Sequence, residues 1–254
     1  MTALRPVAMT DLDAEALYLD AERVPLEDRP WVLANMIVTI DGATTIGDVS
    51  GPLGNEDDRR VLRLLRACAD VILVAAGTVR AERYRAPSVD EHLRQRRVDA
   101  GQAANPRLAI VSRSLDLDPT APPFSDAAED ARPIVVTATG ADRDQRARLA
   151  EVADLLDAGE ESVDIATALG GLAARGARVV LCEGGPSLNG QLVAAGVVDE
   201  ICTTISPRLV GGPSPRLAHA EQPAEPITFE VAHVVTSDDL LFVRYVRSDG
   251  DRDG

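Results

Sequence analysis

Short apolar runs alternate with longer amphipathic or polar stretches along this chain, a rhythm that predicts strands alternating with helices. Trp31 to Ile40 (WVLANMIVTI), Val71 to Ala76, Leu108 to Val111, Ile134 to Thr137 and Val179 to Cys182 are almost wholly apolar. Runs of that kind fit the strands of a mostly parallel sheet buried on both faces. A helix is expected after Asn55 or Asp57, either of which can cap it, with Val61, Leu62, Leu65 and Cys68 on its apolar face. Val79 to Tyr84 reads as a helix start or an irregular turn, and the polar stretch 86–105 as a surface excursion. Further helices are expected near 141–151 and 163–175, with a short strand near 152–157 between them and another from Ile201 to Ser206. Runs at 227–236 and 240–247 flank Ser237-Asp238-Asp239, which is turn chemistry, so they predict an antiparallel C-terminal hairpin. The expected division is an N-terminal arm over 1–30, one α/β domain over 31–247 and a disordered tail over 248–254.

The stretch around which the rest is organised is ARVVLCEGGPSLNGQLVAAGVVDEIC, from Ala177 to Cys202. Its apolar run passes Glu183 and turns on Gly184-Gly185-Pro186 into a helical pattern carrying Leu188, Leu192 and Val193, with Ser187 placed as the cap. Adjacent glycines at a strand-to-helix turn bring bare backbone and helix N-terminal N–H groups together, which suits a phosphate or pyrophosphate. An ordinary turn has the same pattern. What separates the two is convergence: Asp41-Gly42, Gly77-Thr78, Ser112-Arg113-Ser114, Thr137 and Glu183-Gly184-Gly185 all fall where predicted parallel strands end, and ligands gather at such ends.

Charge narrows the partners. The chain has 254 residues and a formal charge of -15, so its average surface repels nucleic acid and anionic membranes. A phosphate-bearing ligand therefore needs a local cluster of Arg and backbone N–H, and Arg80, Arg83 and Arg85 beside Gly77-Thr78 offer one. No apolar run reaches the roughly 20 residues of a membrane span, and the N-terminus lacks a basic segment followed by an apolar one, which points to the cytoplasm. Cys68, Cys182 and Cys202 lie in apolar contexts and read as reduced core thiols; with His92, His219 and His233 scattered, no metal site is expected.

The chain contains no G-x-G-x-x-G after a strand, no G-x-x-x-x-G-K-[ST] and no G-x-S-x-G. What it does contain is an ordered set: Ala34 to Gly42 (ANMIVTIDG), Arg66 to Thr78 (RACADVILVAAGT), Val180 to Pro186 (VLCEGGP), and Val198-Asp199-Glu200 leading to Pro207 and Gly211-Gly212. This set resembles the pyrimidine reductase domain of riboflavin biosynthesis, the C-terminal part of a bifunctional deaminase-reductase, over roughly residues 31–247. The resemblance implies a dihydrofolate-reductase-like fold, a mostly parallel sheet flanked by helices, with NADPH as cofactor and a homodimer as assembly. The zinc-deaminase signature H-x-E with P-C-x-x-C is absent, so a stand-alone reductase is expected.

By resemblance, Gly77 and Thr78 form the turn at the cofactor pyrophosphate and ribose. Ser112, Arg113 and Ser114 meet the adenosine 2′-phosphate, and Thr137 lies on the same cofactor side. Gly184 and Gly185, commonly joined by a cis peptide in this fold, lie along the nicotinamide with Pro186, Ser187 and Leu188 behind them. Asp41 and Glu183 match acidic positions of the active-site rim. Asp58 is either a helix-start charge or a carboxylate that binds a pyrimidine ring. Two departures bear on substrate: Asn35 stands where many relatives have Lys, and Glu82-Arg83-Tyr84 where many have Asp and Pro, so Arg83 and Arg85 become the candidates for a substrate phosphate. The expected activity is NADPH-dependent reduction of a ribosylamino-pyrimidine 5′-phosphate. The alternatives are dihydrofolate reduction and a non-catalytic NADP-binding regulatory role.

Overall fold

A computed structural model describes residues 7–9, 11–47, 49–220 and 225–248. The N-terminal elements are β1 (Val7–Ala8), α1 (Asp11–Tyr18), β2 (Trp31–Thr39), α2 (Glu56–Cys68), β3 (Val71–Ala75), α3 (Ala76–Ala81) and α4 (Glu91–Asp99). They are followed by β4 (Arg107–Val111), α5 (Pro122–Ser125), β5 (Ile134–Thr137), α6 (Arg143–Ala150), β6 (Asp154–Asp157) and α7 (Ile165–Ala173). The C-terminal elements are β7 (Val179–Cys182), α8 (Pro186–Ala194), β8 (Glu200–Ser206), β9 (Phe229–Ser237) and β10 (Leu240–Arg247).

The strands form one sheet in the order β1-β9-β10-β8-β2-β7-β3-β4-β5-β6. From β8 to β6 every pairing is parallel, while β10 runs antiparallel to both β8 and β9. The apolar runs have no polar alternation because both faces are covered: Leu33 and Ile72 enter one core cluster, and their neighbours Val32 and Leu73 enter the other. This is the expected α/β, dihydrofolate-reductase-like architecture with its antiparallel C-terminal hairpin. The turn falls at Asp238, whose φ of 49° suits a short polar side chain.

Local chemistry fixes the elements that frame the functional end. Asn55 caps α2, its Oδ1 accepting the Asp58 N–H at 3.0 Å, and Glu56, Asp57 and Asp58 load the first turn with negative charge. Ser187, by contrast, caps nothing. Gly185 is the N-cap of α8 and Pro186 takes the first helical position, where its missing N–H costs no hydrogen bond, so Ser187 sits one residue inside and exposed.

Two further stretches differ from their sequence patterns. The polar segment 86–105 contains α4, with Leu93 and Arg97 buried. Arg97 holds it in place by donating from Nη1 to the Ala67 and Ala69 carbonyls, at 2.9 and 2.6 Å, where α2 ends. Near the N-terminus, β1 pairs with β9, and Ala14 and Tyr18 of α1 join the core. Arg29 then ties the chain to the start of β8 through a fork to Asp199 at 2.6 and 2.9 Å. Of the tail, Ser248 hydrogen-bonds the Thr228 carbonyl, and 249–254 lie outside the described residues. No helix among the described residues is long and apolar enough to cross a membrane.

Candidate active site

Strands β2, β7 and β3 are adjacent and parallel, so their C-terminal ends open on the same side of the sheet. A cleft of about 750 Å³ lies there, and Asn35, Asp58, Gly77, Thr78, Glu183, Gly185 and Pro186 line it together with Glu82, Arg83 and Arg85. Residues drawn from five separate stretches of sequence thus meet in one cavity.

The floor carries two carboxylates. Asp58 is half-buried, and its Oδ2 occupies the space a side chain on Gly54 would need, 2.4 Å from an ideal Cβ there. Burial pushes the Asp58 carboxyl up, against a lowering hydrogen bond from Thr204 and the nearby charge of Arg59. Glu183 follows β7 and is gripped by Arg66, whose Nε and Nη2 each donate to it at 2.7 Å, while the Tyr84 hydroxyl donates to its Oε2. Burial lowers Arg66, but the charge and hydrogen bonds of Glu183 together with those of Tyr84 outweigh it, and the guanidinium is raised. Burial and then Glu183 push the Tyr84 phenol well above its ordinary value.

The opposite wall is backbone. The Gly184–Gly185 peptide is cis, and the Gly184 carbonyl accepts the Ala75 N–H at 2.9 Å, which ties the glycine turn to β3. Gly77 faces open space within the cleft, and an ideal Cβ on Gly185 would stand 2.8 Å from Thr78 Oγ1. Beside them α8 begins, and the N–H groups of its first turn have no intrahelical partners. Bare backbone, a hydroxyl and a helix N-terminus make a cradle that suits a pyrophosphate.

The basic cluster is thinner than its sequence reads. Arg80 is held by the Asp116 carbonyl at 2.8 Å, and Arg85 pairs with Asp126 at 2.5 Å. Arg83, in the left-handed region at φ 49°, has no ion-pair or hydrogen-bond partner among the described residues and lines the cleft. Glu82 accepts both the Ser50 N–H and hydroxyl at 3.1 Å, joining α3 to the loop across the cleft mouth.

Other expected site residues stand apart. Asp41 is exposed and outside the cleft lining, where it accepts the Thr39 hydroxyl at 2.5 Å and the Gly211 and Val210 N–H groups at 2.7 and 3.3 Å. The Thr39 bond, then that from Gly211, lower its carboxyl, and the side chain staples two loops together. Ser112, Arg113 and Ser114 lie past the end of β4, one strand beyond β3. There the Ser112 hydroxyl accepts the Leu115 N–H, and Arg113 is exposed with no partner among the described residues. Thr137, fully buried at the end of β5, lies a strand further, its hydroxyl unpartnered among the described residues. Leu188 packs into the core, so only its backbone is available to a ligand.

Residues 30–242 match the RibD C-terminal domain family. The chain belongs to that family. Among its relatives are proteins that bear the name 2,5-diamino-6-ribosylamino-4(3H)-pyrimidinone 5′-phosphate reductase. The one from Methanothermobacter thermautotrophicus is 32% identical over 222 residues, 85% of this chain and 98% of its own. The one from Archaeoglobus fulgidus is 32% identical over 187 residues, 72% of this chain and 83% of its own. A solved pyrimidine reductase-like protein from Corynebacterium diphtheriae superposes with a TM-score of 0.82 at 28% identity, covering 92% of this chain and 98% of that one. This RibD C-terminal domain is therefore an oxidoreductase.

Two polar residues that line the cleft, Arg66 and Tyr84, escape a reading of the sequence as site residues. Arg66 sits in the last turn of α2, where a basic residue reads as complementing the helix dipole. The one local signal for Tyr84 is a lone aromatic among charged residues in a chain with three Tyr.

Proposed function

We propose that this RibD C-terminal domain uses NADPH to reduce a ribosylamino-pyrimidinone 5′-phosphate of the riboflavin pathway. The observation that carries this reading is the cleft itself, which brings a glycine-lined backbone wall together with two carboxylates and an arginine that has no partner among the described residues. The names of its relatives supply the substrate class.

The residues fit the cofactor. Gly77, Thr78, Gly185, Pro186 and the first N–H groups of α8 would hold the pyrophosphate and the nicotinamide side, and Arg113 with Ser112 and Ser114 the 2′-phosphate. When bound, NADPH supplies the hydride that the ring-opened imine of the substrate receives at the sugar C1′. The chain's part is placement: Asp58 and Glu183 accept hydrogen bonds from the amino-pyrimidine and the sugar chain, Asn35 adds an uncharged contact, and Arg83 holds the 5′-phosphate. Thr137, two strands from β3, shapes the adenosine end indirectly through β4.

A second reading, dihydrofolate reduction, is favoured by one feature, the half-buried Asp58 carboxyl, which a pterin would also use. Against it, Tyr84 supplies the only aromatic ring among the lining residues, and that ring is engaged with Arg66. The charge of -15 supports a small-molecule partner over nucleic acid, and we place the protein in the cytoplasm as a homodimer.

The experiment that tests the reading is isotopic. With NADPH deuterated at its reactive position, the ribitylamino product should carry deuterium at C1′ by mass spectrometry, and an unlabelled product, or none, would overturn it.

A further inference from the structure

The grip on Glu183 is more specific than an ion pair. A carboxylate offers about four acceptor sites, two on each oxygen. On Glu183, Oε1 takes Arg66 Nε, and Oε2 takes both Arg66 Nη2 and the Tyr84 hydroxyl, so three are used and one remains, on Oε1. The grip is also closed on itself: Arg66 Nη2 donates to the Tyr84 oxygen at 3.0 Å, and its guanidinium lies 5.6 Å from the centre of the Tyr84 ring. The Glu183 side chain is only 8% exposed, so little of the carboxylate meets the cleft. Arg66 and Tyr84 line the same cavity, and their partner lies 117 and 99 residues away in sequence.

We propose that Arg66 and Tyr84 are positioning residues that turn Glu183 into a reader of a single substrate donor, one N–H or O–H taken by the remaining site on Oε1. The inference rests on the reductase reading above and adds a specificity device to it. Tyr84 follows Arg83 directly in sequence, so one short segment brings both the phosphate candidate and this device to the cleft. Removing the phenol hydroxyl frees a second acceptor site, on Oε2, while the Arg66 fork still holds the carboxylate, so that the substrate donor is taken in more than one pose. Tyr84 acts only through Glu183, and the two residues should therefore be energetically coupled.

A double-mutant cycle tests this. Tyr84→Phe, which keeps the ring beneath Arg66, should lower kcat/KM for the ribosylamino-pyrimidine phosphate about tenfold, the loss of roughly one hydrogen bond, with NADPH affinity unchanged by calorimetry. In a Glu183→Gln background the same substitution should change kcat/KM less than twofold. Arg66→Lys, which keeps charge but loses the fork, provides a second background and should likewise blunt the Tyr84→Phe effect. Equal tenfold losses in all backgrounds, or a Tyr84→Phe enzyme within twofold of wild type, would overturn the inference while leaving the reductase reading intact. A wild-type protein with no turnover would overturn the reductase reading and this inference with it.

Discussion

Gly185 and Thr78 approach so closely that a Cβ on the glycine would stand 2.8 Å from the threonine Oγ1, inside any normal contact. The two residues close the backbone wall of the cleft from separate strand ends, β7 and β3. A Gly185→Val side chain must therefore displace Thr78 or project into the cavity, and either move removes the surface proposed for the dinucleotide. NADPH affinity measured by calorimetry should fall at least about tenfold, equivalent to roughly 1.4 kcal/mol. An unchanged affinity in the folded variant would refute the placement of the cofactor on this wall.

Arg113 is an exposed cation past the end of β4 with no partner among the described residues, and the carboxylate that follows it in the loop, Asp116, is paired with Arg80 at 3.6 Å. Arg113→Ala should cost about 1.5 to 3 kcal/mol of NADPH binding, the worth of a charge-assisted hydrogen bond, and leave NADH nearly untouched. The ratio of the two dissociation constants is the readout; a constant ratio would put the 2′-phosphate elsewhere.

Asp58 links the site to stability. Burial raises its carboxyl, so the folded chain binds that proton more tightly than the unfolded chain does. Its contribution is most favourable below the unfolded value of about 3.9 and is lost as pH rises through the raised folded value. Asp58→Asn, which has no charge to bury, should therefore raise Tm at neutral pH, with the gain shrinking as the pH falls toward about 4. Activity should fall in the same variant. Thermal melts across that range decide it, and a Tm difference independent of pH would show that the carboxylate is not desolvated.

Arg83 is the one member of its basic cluster that lines the cleft without a partner among the described residues, Arg85 being engaged with Asp126. Arg83→Ala should raise KM for the phosphorylated substrate about tenfold or more and barely change that for the dephosphorylated nucleoside form. Equal effects on both would remove the phosphate from this residue.

Much of this was legible in the sequence, and the failures have physical causes. The runs that became β2, β3, β4, β5 and β7 supply residues to both core clusters, and an uninterrupted apolar run of strand length reads as a strand buried on both faces. The glycine turn and Glu183 were legible because strand ends concentrate ligand chemistry. Helix α4 was not, since a buried arginine and one leucine anchor it in place of an apolar stripe. A carboxylate after a strand has the same appearance in sequence whether it meets a ligand or staples a loop; at Asp41 the bonds to Thr39 and Gly211 distinguish the two. Arg66 and Tyr84 meet Glu183 through tertiary contacts that no local pattern encodes.

Both candidate substrates, the ribosylamino-pyrimidinone 5′-phosphate and dihydrofolate, bring negative charge to the same cleft. Steady-state oxidation of NADPH, followed on one preparation with the ribosylamino-pyrimidinone 5′-phosphate and with dihydrofolate, separates them. The kcat/KM for the pyrimidine phosphate should lie well above that for dihydrofolate; a value for dihydrofolate equal to or greater than that for the pyrimidine would overturn the substrate assignment.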